Sequence, residues 1–474
     1  MKKTGLLALS LISLMITGCG STGTSSNESS GSKEIQFWHC IGHDKMNNLT
    51  RIIDKFNTDH ASTDGYYVKA YQIAGSYDAL HDAVKTKLNA GYVPAITMGY
   101  PDSFSEYMGS NGAGSSKIIN LDDMIAADTS FDKTDFVSGY YNEGTQYQYT
   151  GTYSLPLYKS TEVMYYNKTV FESSAFYKAH KTETYGSYGA VLGDPTTWDW
   201  DTLIYVANQI QAENSSVADF HALGYDSDSN LFISQMAQRN IPFTTDQGTG
   251  ASHFLFVDAT GTGKPNTDLV TLTTDVYNLT SSGTLVTQGS YGAYASDLFL
   301  KKKVMFTIGS TGGSAYNEPD GAFDCGLAPV PCYQKNKKYI MQGPSLCFFK
   351  TTDTARLNAT WEFYSKYVSN PTLNADLALE NSYDPVRVSS YSTDDYKRWC
   401  SVAAGGYADT TAELIYRIPN LTPSLKANYL TSPVFIGSGT ARTEIGKLVS
   451  YTKEEKGNVE AAILKAYSNC VQAV

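Results

Sequence analysis

The stretch between Glu34 and Gly99 constrains the fold more than any other part of this chain. A predicted strand, Glu34 to Cys40, leads into Asp44 to Asn57, where Met46, Leu49, Ile53 and Phe56 recur at helical spacing. A second run, Tyr67 to Gln72, precedes a helical pattern from Tyr77 to Ala90 that stops at Gly91 with Pro94 beyond. Ala95 to Gly99 then reads as a short buried strand. Strand, helix, strand, helix, strand predicts an α/β unit with a largely parallel sheet. The alternation resumes near Tyr153 to Leu157. The clearest later helix opens at Pro195, with Thr197 as the expected N-cap, Asp199 and Asp201 near its positive end, and Leu203, Val206, Ala207 and Ile210 as its apolar stripe. Strands are expected at Lys303 to Ile308, around Gly326 to Val330 and at Ser345 to Lys350, and helices at Arg356 to Val368 and Val459 to Tyr467. At 474 residues the chain exceeds one typical core and predicts two or more.

The N-terminus carries an address. Lys2 and Lys3 precede an apolar run, Leu6 to Ile16, that closes on Ile16, Thr17, Gly18 and Cys19, the pattern of a lipoprotein export signal. The run is too short to span a bilayer comfortably. The expectation is removal of residues 1–18, acylation of Cys19, and a body anchored by lipid at the outer, extracellular face of a bacterial cytoplasmic membrane. An ordinary secretion signal with an accidental cysteine is the alternative. Residues 19–32 read as a flexible polar tether. No later segment is apolar enough to span, and a net charge of -11 argues against nucleic acid and anionic lipid as partners. Tyrosine is abundant, at 36 residues, and its flat face with a hydroxyl suits hydroxylated ligands. Beyond Cys19, the cysteines Cys40, Cys325, Cys332, Cys347, Cys400 and Cys470 contain no CxxC pair, and both disulfides and buried thiols stay open.

Catalytic and metal motifs fail one by one. His39 and His43 have ligand spacing, but His39 falls in or just after a strand and no acidic or cysteine cluster accompanies it. Asp226, Asp228 and Asn230 begin like a calcium loop, yet Leu231 stands where glycine is required and Ala237 where glutamate is. Gly261, Gly263 and Lys264 resemble a phosphate loop that Asp258 and Pro265 break at both ends. No G-x-S-x-G elbow occurs, and serines such as Ser310 and Ser438 have no recognisable base. Neither catalysis nor a metal or cofactor is expected.

Seven segments in order carry a resemblance: IQFWHCIGHDKMNNLTRIIDKFN (35–57), LNAGYVPAITMGYPDSFSEYM (88–108), LPLYKSTEVMYYNKTVF (155–171), TTWDWDTL (196–203), KKKVMFTIGSTGGS (301–314), MQGPSLCFFK (341–350) and SYDPVRVSSY (382–391). The chain resembles the extracellular solute-binding proteins of ABC importers, in the branch that handles sugars, polyols and glycerol 3-phosphate. The resemblance implies a two-lobed, type II periplasmic-binding-protein-like α/β fold, with three crossings and a ligand cleft between the lobes. The lobe boundaries expected are 33–156 with 311–352, and 157–310 with 353–474. It further implies a monomer that captures a carbohydrate or related polyol, phosphorylated or not, by cleft closure and hands it to the transmembrane subunits of a permease.

Within that family the chain is similar to glycerol-3-phosphate-binding proteins, and the likeness implies ligand contacts residue by residue. Their tyrosine before the second helix matches Tyr77, their serine ahead of the Tyr-Tyr-Asn segment Ser160, and the serine after the Met-containing strand Ser310. The glycine before Ser-Leu matches Gly343, the tyrosine ahead of the proline Tyr383, and the arginine near the C-terminus Arg442, suited to bidentate phosphate. Two departures stand out. A glutamate that grips glycerol hydroxyls falls at Pro101, so that Asp102 either replaces it or caps the next helix. Tryptophans of the second lobe fall on GYDSDSN (224–230), which places Asp226 in the cleft, favourable for hydroxyls and repulsive to phosphate. Plainer roles compete. Tyr77 and Tyr383 would be packing residues, Ser160 a backbone-bonding loop hydroxyl, Gly343 a turn before Pro344, and Arg442 the partner of Glu444 or Asp409. Trp38 and Trp198 are expected in the core. The rival functions are an anchored glycoside hydrolase, with two acids facing across the cleft, and an adhesin or scaffold with no deep cleft.

Overall fold

Two sheets, each of five strands, organise the chain. The computed structural model describes residues 32–109, 111–246, 248–258, 263–401, 418 and 421–474. Cys19, the signal 1–18 and the tether up to residue 31 lie outside the described residues, as do Gly261 and Asp409.

The first sheet has the order Tyr67–Gln72, Glu34–His39, Ile96–Gly99, Ser345–Phe348, Leu155–Pro156. Its first three strands are parallel, as the strand–helix alternation requires, and the last two join antiparallel. The reason lies in the route: Ser345–Phe348 enters from the other lobe, not through a crossover helix. The helix Asn47–His60 buries Leu49, Ile52, Ile53 and Phe56 against Phe37 and Phe363 of the same core. The second sheet has the order Cys325–Pro329, Glu162–Asn167, Val304–Ser310, His221–Tyr225, Leu285–Thr287. The helices Trp200–Glu213, Asp228–Arg239 and Thr267–Ser281 share its core with Ser438–Gly446 and Val459–Val471 from the chain's end.

The chain passes from the first sheet to the second between Pro156 and Glu162, and returns between Ile340 and Ser345. By Ser438 it is again part of the second lobe. The first two passages run side by side: Ser160 N donates to Gln342 O at 2.7 Å, and Gln342 N to Ser160 O at 3.0 Å. Lys159 is fully buried there, its Nζ bonding the Glu143 carboxylate, Gly343 O at 2.9 Å and Ser345 Oγ at 3.0 Å. Breaking one side of such a pair costs about 3–5 kcal/mol, because it strands a buried charge.

Three details differ from the sequence expectation. Cys325–Pro329, expected in the first lobe, pairs with Glu162–Asn167 as an edge of the second sheet, because the return to the first lobe waits until after Ile340. Thr354–Glu362 and Pro371–Glu380, expected in the second lobe, place Ala359, Trp361, Leu377 and Ala378 in the same core as Ile35 and Phe37. The helix predicted to begin at a Thr197 cap starts at Trp200. Asp199 caps it by accepting from Thr202 N at 2.8 Å, whereas Thr197 Oγ1 accepts from Val191 N at 2.9 Å. Trp38 and Trp198 are core residues, as expected.

Candidate functional site

Strand ends of both lobes converge on a cavity of about 690 Å³. From the first lobe come only tyrosines. Tyr77 opens the helix Tyr77–Asn89, which Ser76 caps, and Tyr100 stands between the strand Ile96–Gly99 and the helix Pro101–Met108. Their rings lie 4.4 Å apart. Tyr383 follows Ser382, whose φ of 64° turns the chain, and its ring sits 4.4 Å from that of Tyr158. Burial raises the Tyr77 and Tyr383 phenols, which therefore remain neutral and able to donate.

The second lobe supplies polar groups together with two exposed tyrosines, Tyr294 and Tyr316. Asp226 follows the strand His221–Tyr225, and its Oδ1 accepts from Ser296 N at 2.8 Å. Burial raises its carboxyl, and the Ser296 bonds pull the other way. Its Oδ2 crowds Gly309, where a Cβ would sit 2.9 Å away. The Ser310 hydroxyl donates to Ser160 Oγ at 3.4 Å, joining the second sheet to the first passage. Gly312 lets the Tyr383 ring reach across from the other lobe, since a Cβ there would meet the ring at 2.8 Å. Asp226 and Asp297 line the cavity with hydroxyls and carboxamides, and no lysine, arginine or histidine lines it among the described residues.

A recess of about 150 Å³ adjoins it, sharing Tyr100 and Gln342 and lined also by Asp102, Glu143 and Arg442. Arg442 projects from Ser438–Gly446 and donates to Asn230 Oδ1. It does not pair with Glu444, which holds Lys447 at 2.7 Å and the Tyr451 hydroxyl at 2.9 Å. Burial pushes Asp102 up while Arg442 opposes the shift. Asp102 Oδ1 accepts from Ser103 N at 2.9 Å, and Oδ2 lies 2.9 Å from where a Cβ on Gly439 would stand. Asp102 thus meets both its own helix and the first turn of the helix that bears Arg442.

Glu162 anchors the wall between the two spaces. It is buried, and accepts from the Tyr225 hydroxyl at 2.5 Å and from Asn230 Nδ2 at 2.6 Å. Asn230 Nδ2 also reaches Gln342 Oε1 at 3.3 Å. Burial pushes the Glu162 carboxyl up to about 7 against the pull of those bonds. Because Glu162 fixes Nδ2, the Asn230 amide turns its oxygen to Arg442.

Of the positions carried over from the resemblance, Tyr77, Ser160, Asp226, Ser310 and Tyr383 meet at the larger cavity, and Asp102 and Arg442 at the recess. Gly343 lies behind the wall. Its φ is 114°, a Cβ there would press on Tyr158 O at 2.8 Å, and its carbonyl serves Lys159. Sequence reasoning missed Tyr100, Asn230, Gln342 and Glu162. The last had a signal, a lone acid opening an otherwise apolar strand. His39 is a core residue, its Nδ1 accepting from Ile41 N at 3.2 Å and its pKa lowered to about 4 by burial. The six described cysteines form no disulfide. No helix among the described residues is long and apolar enough to cross a membrane.

The family model described as bacterial extracellular solute-binding protein matches residues 51–404. The sn-glycerol-3-phosphate-binding periplasmic protein UgpB of Pectobacterium atrosepticum is 30% identical over 144 residues, which span 30% of this chain and 30% of that protein. UgpB from Mycobacterium tuberculosis, solved with glycerophosphocholine, superposes with a TM-score of 0.63 at 19% identity, covering 93% of this chain and 97% of that one. An ABC substrate-binding protein from Listeria monocytogenes, solved with cycloalternan, gives 0.65 at 15% identity, covering 93% and 98%. At such identities the structural likeness shows the fold, a two-lobed α/β binding-protein fold. The family match covers most of the chain and says what kind of protein carries that fold: the chain belongs to the bacterial extracellular solute-binding proteins, which bind a solute and are not enzymes.

Proposed function

We propose that this protein is the substrate-binding component of an ABC importer, capturing a carbohydrate or related polyol between its lobes and delivering it to the permease. The observation that carries this reading is the lining of the cavity of about 690 Å³: tyrosine rings on both sides, Tyr77, Tyr100 and Tyr383 from the first lobe and Tyr294 and Tyr316 from the second, with carboxylate, amide and hydroxyl groups among them. A sugar presents a C–H face and a rim of hydroxyls, and satisfies both walls only when they close on it. Acylation at Cys19 would hold this monomer at the outer face of the membrane, close to the permease.

A phosphorylated polyol is the second reading. Arg442 favours it, because among the described residues its guanidinium bonds an amide and forms no salt bridge. The alignment with a glycerol-3-phosphate-binding protein points the same way. Asp226 and Asp297 oppose it, as does Asp102 beside Arg442 itself. The balance supports a neutral saccharide.

A thermal-shift panel of neutral mono- and oligosaccharides, polyols and glycerol 3-phosphate tests the choice. A ligand at a hundred times its dissociation constant adds about 2.7 kcal/mol to the folded state. A shift by a neutral saccharide that shrinks to about a third in Asp226→Ala supports the proposal. A shift by glycerol 3-phosphate alone, lost in Arg442→Ala, replaces it with the phosphate reading, and silence across the panel removes both.

A further inference from the structure

A second concave surface shares no lining residue with the cleft. It encloses about 710 Å³, as much as the cavity between the lobes. Three pieces of the second lobe wall it. The first is the hairpin in which Thr184–Tyr185 pairs with Ala190–Val191, turned by Gly186 and Gly189 at φ 70° and 68°. The second is the helix Trp200–Glu213, where Asp201, Tyr205 and Asn208 fall at i, i+4 and i+7 on one stripe, away from the buried Leu203, Val206, Ala207 and Ile210. The third is the turn at Tyr333 to Asn336, where Gln334 has φ 48°.

Its chemistry parallels that of the cleft. The Tyr185 and Tyr205 rings lie parallel, 4.1 Å apart and inclined by 9°. Tyr188 is 41% exposed at the hairpin tip, steadied by the Lys335 ammonium 5.0 Å from its ring centre. Ser187, Asp201, Asn208 and Gln334 form a polar rim. Neither the phenols of Tyr185, Tyr188 and Tyr205 nor the Asp201 carboxylate has a hydrogen-bond partner among the described residues. Packing accounts for the stacked rings. Asp201 suits the first turn of its helix and Asn208 Oδ1 accepts from Thr284 Oγ1 at 3.4 Å, and both side chains stay exposed beside the rings on the same concave surface. Among the described residues no cationic side chain lines the surface, the Lys335 ammonium is engaged over the Tyr188 ring, and Asp199 and Asp201 give the lining an acidic balance that disfavours phosphate and carboxylate ligands.

We propose that this groove is a second carbohydrate site, binding a neutral polysaccharide along its length. Rings would stack on the sugar C–H faces, and Asp201 and Asn208 would accept from and donate to neighbouring hydroxyls. Among the described residues nothing closes over the groove, so a chain can run through it, whereas a cleft that shuts would admit only a short ligand or a chain end. The groove would hold a polymer close to the cleft. That last step rests on the carbohydrate reading of the cleft, and binding in the groove does not.

Affinity electrophoresis of the full chain, in native gels cast with soluble starch, dextran, mannan or xylan, tests it. The result expected is retardation by at least one polymer, at least tenfold weaker in Tyr205→Ala and in the double substitution Asp201→Ala with Asn208→Ala, and undiminished in Asp226→Ala. Asp201 and Asn208 are exposed, so the double substitution decides the matter should Tyr205→Ala fail to fold. No retardation by any of the four polymers overturns the proposal. So does retardation that survives the double substitution, or that Asp226→Ala abolishes. Thermal shifts with small saccharides report on the cleft alone and should be the same in the groove variants, which keeps failure of one reading distinct from failure of the other.

Discussion

The two walls of the cleft are held in place by different physics. On the first lobe, Tyr77, Tyr100, Tyr158 and Tyr383 brace one another ring to ring, and the wall is set before any ligand arrives. On the second, Asp226 is aimed by the backbone of Ser296, and Asn230 by Glu162 beneath it. Ring contacts are insensitive to protons, whereas a buried carboxyl that organises hydrogen bonds is not. The first wall therefore contributes a preset shape with phenol donors, and the second adds carboxylate and amide groups held in direction by buried hydrogen bonds. On the function proposed above, a ligand would collect both only when the lobes close on it, which would make closure, and not either wall alone, the source of affinity.

The difference predicts which wall responds to pH. Glutamate ordinarily titrates near 4.5, and Glu162 near 7 in the fold. Between those values the folded chain binds more protons than the unfolded one, so this group's contribution to stability falls as pH rises and levels off above about 7. Urea unfolding of wild type between pH 5 and 8 should lose about 2–3 kcal/mol relative to Glu162→Gln. Parallel profiles for the two proteins would break the distinction between the walls.

Asp226→Ala comes next. It should weaken saccharide binding by about 2 kcal/mol, roughly thirtyfold, the scale of a hydrogen bond to a charged group, in isothermal titration calorimetry. Tyr383→Ala should cost about 1.5 kcal/mol, roughly tenfold, and Tyr383→Phe distinctly less, because it keeps the ring. The smallest effect expected is that of Arg442→Ala on a neutral saccharide, which should bind as wild type does. A large loss there would move the recess to the centre of recognition and favour an anionic ligand.

The fold was legible in the sequence wherever local pattern and tertiary contact agree. Tyr67–Gln72 and the helix from Tyr77 match the expectation because their apolar spacing is also their buried face. The lobe boundaries were not legible. Nothing local distinguishes Cys325–Pro329, which pairs at long range with Glu162–Asn167, from a strand of the first sheet. At the site, the family likeness placed Tyr77, Ser160, Ser310, Tyr383 and Arg442 along the cleft. It could not give the orientation of Asn230, which depends on an acid 68 residues away. Nor could it show that Gly343 serves the passage between lobes by yielding space to backbone. Such roles arise from contacts that no spacing encodes.

The central claim is that both walls act on one ligand through closure, and a double-mutant cycle measures it directly. Affinities for the saccharide found in the thermal-shift panel would be determined by calorimetry for wild type, Tyr383→Ala, Asp226→Ala and the double variant. Closure makes each wall's contribution depend on the other, so the double variant should lose at least about 0.5 kcal/mol less than the sum of the two single losses. Strict additivity, or wild-type affinity in either single variant, would contradict the account.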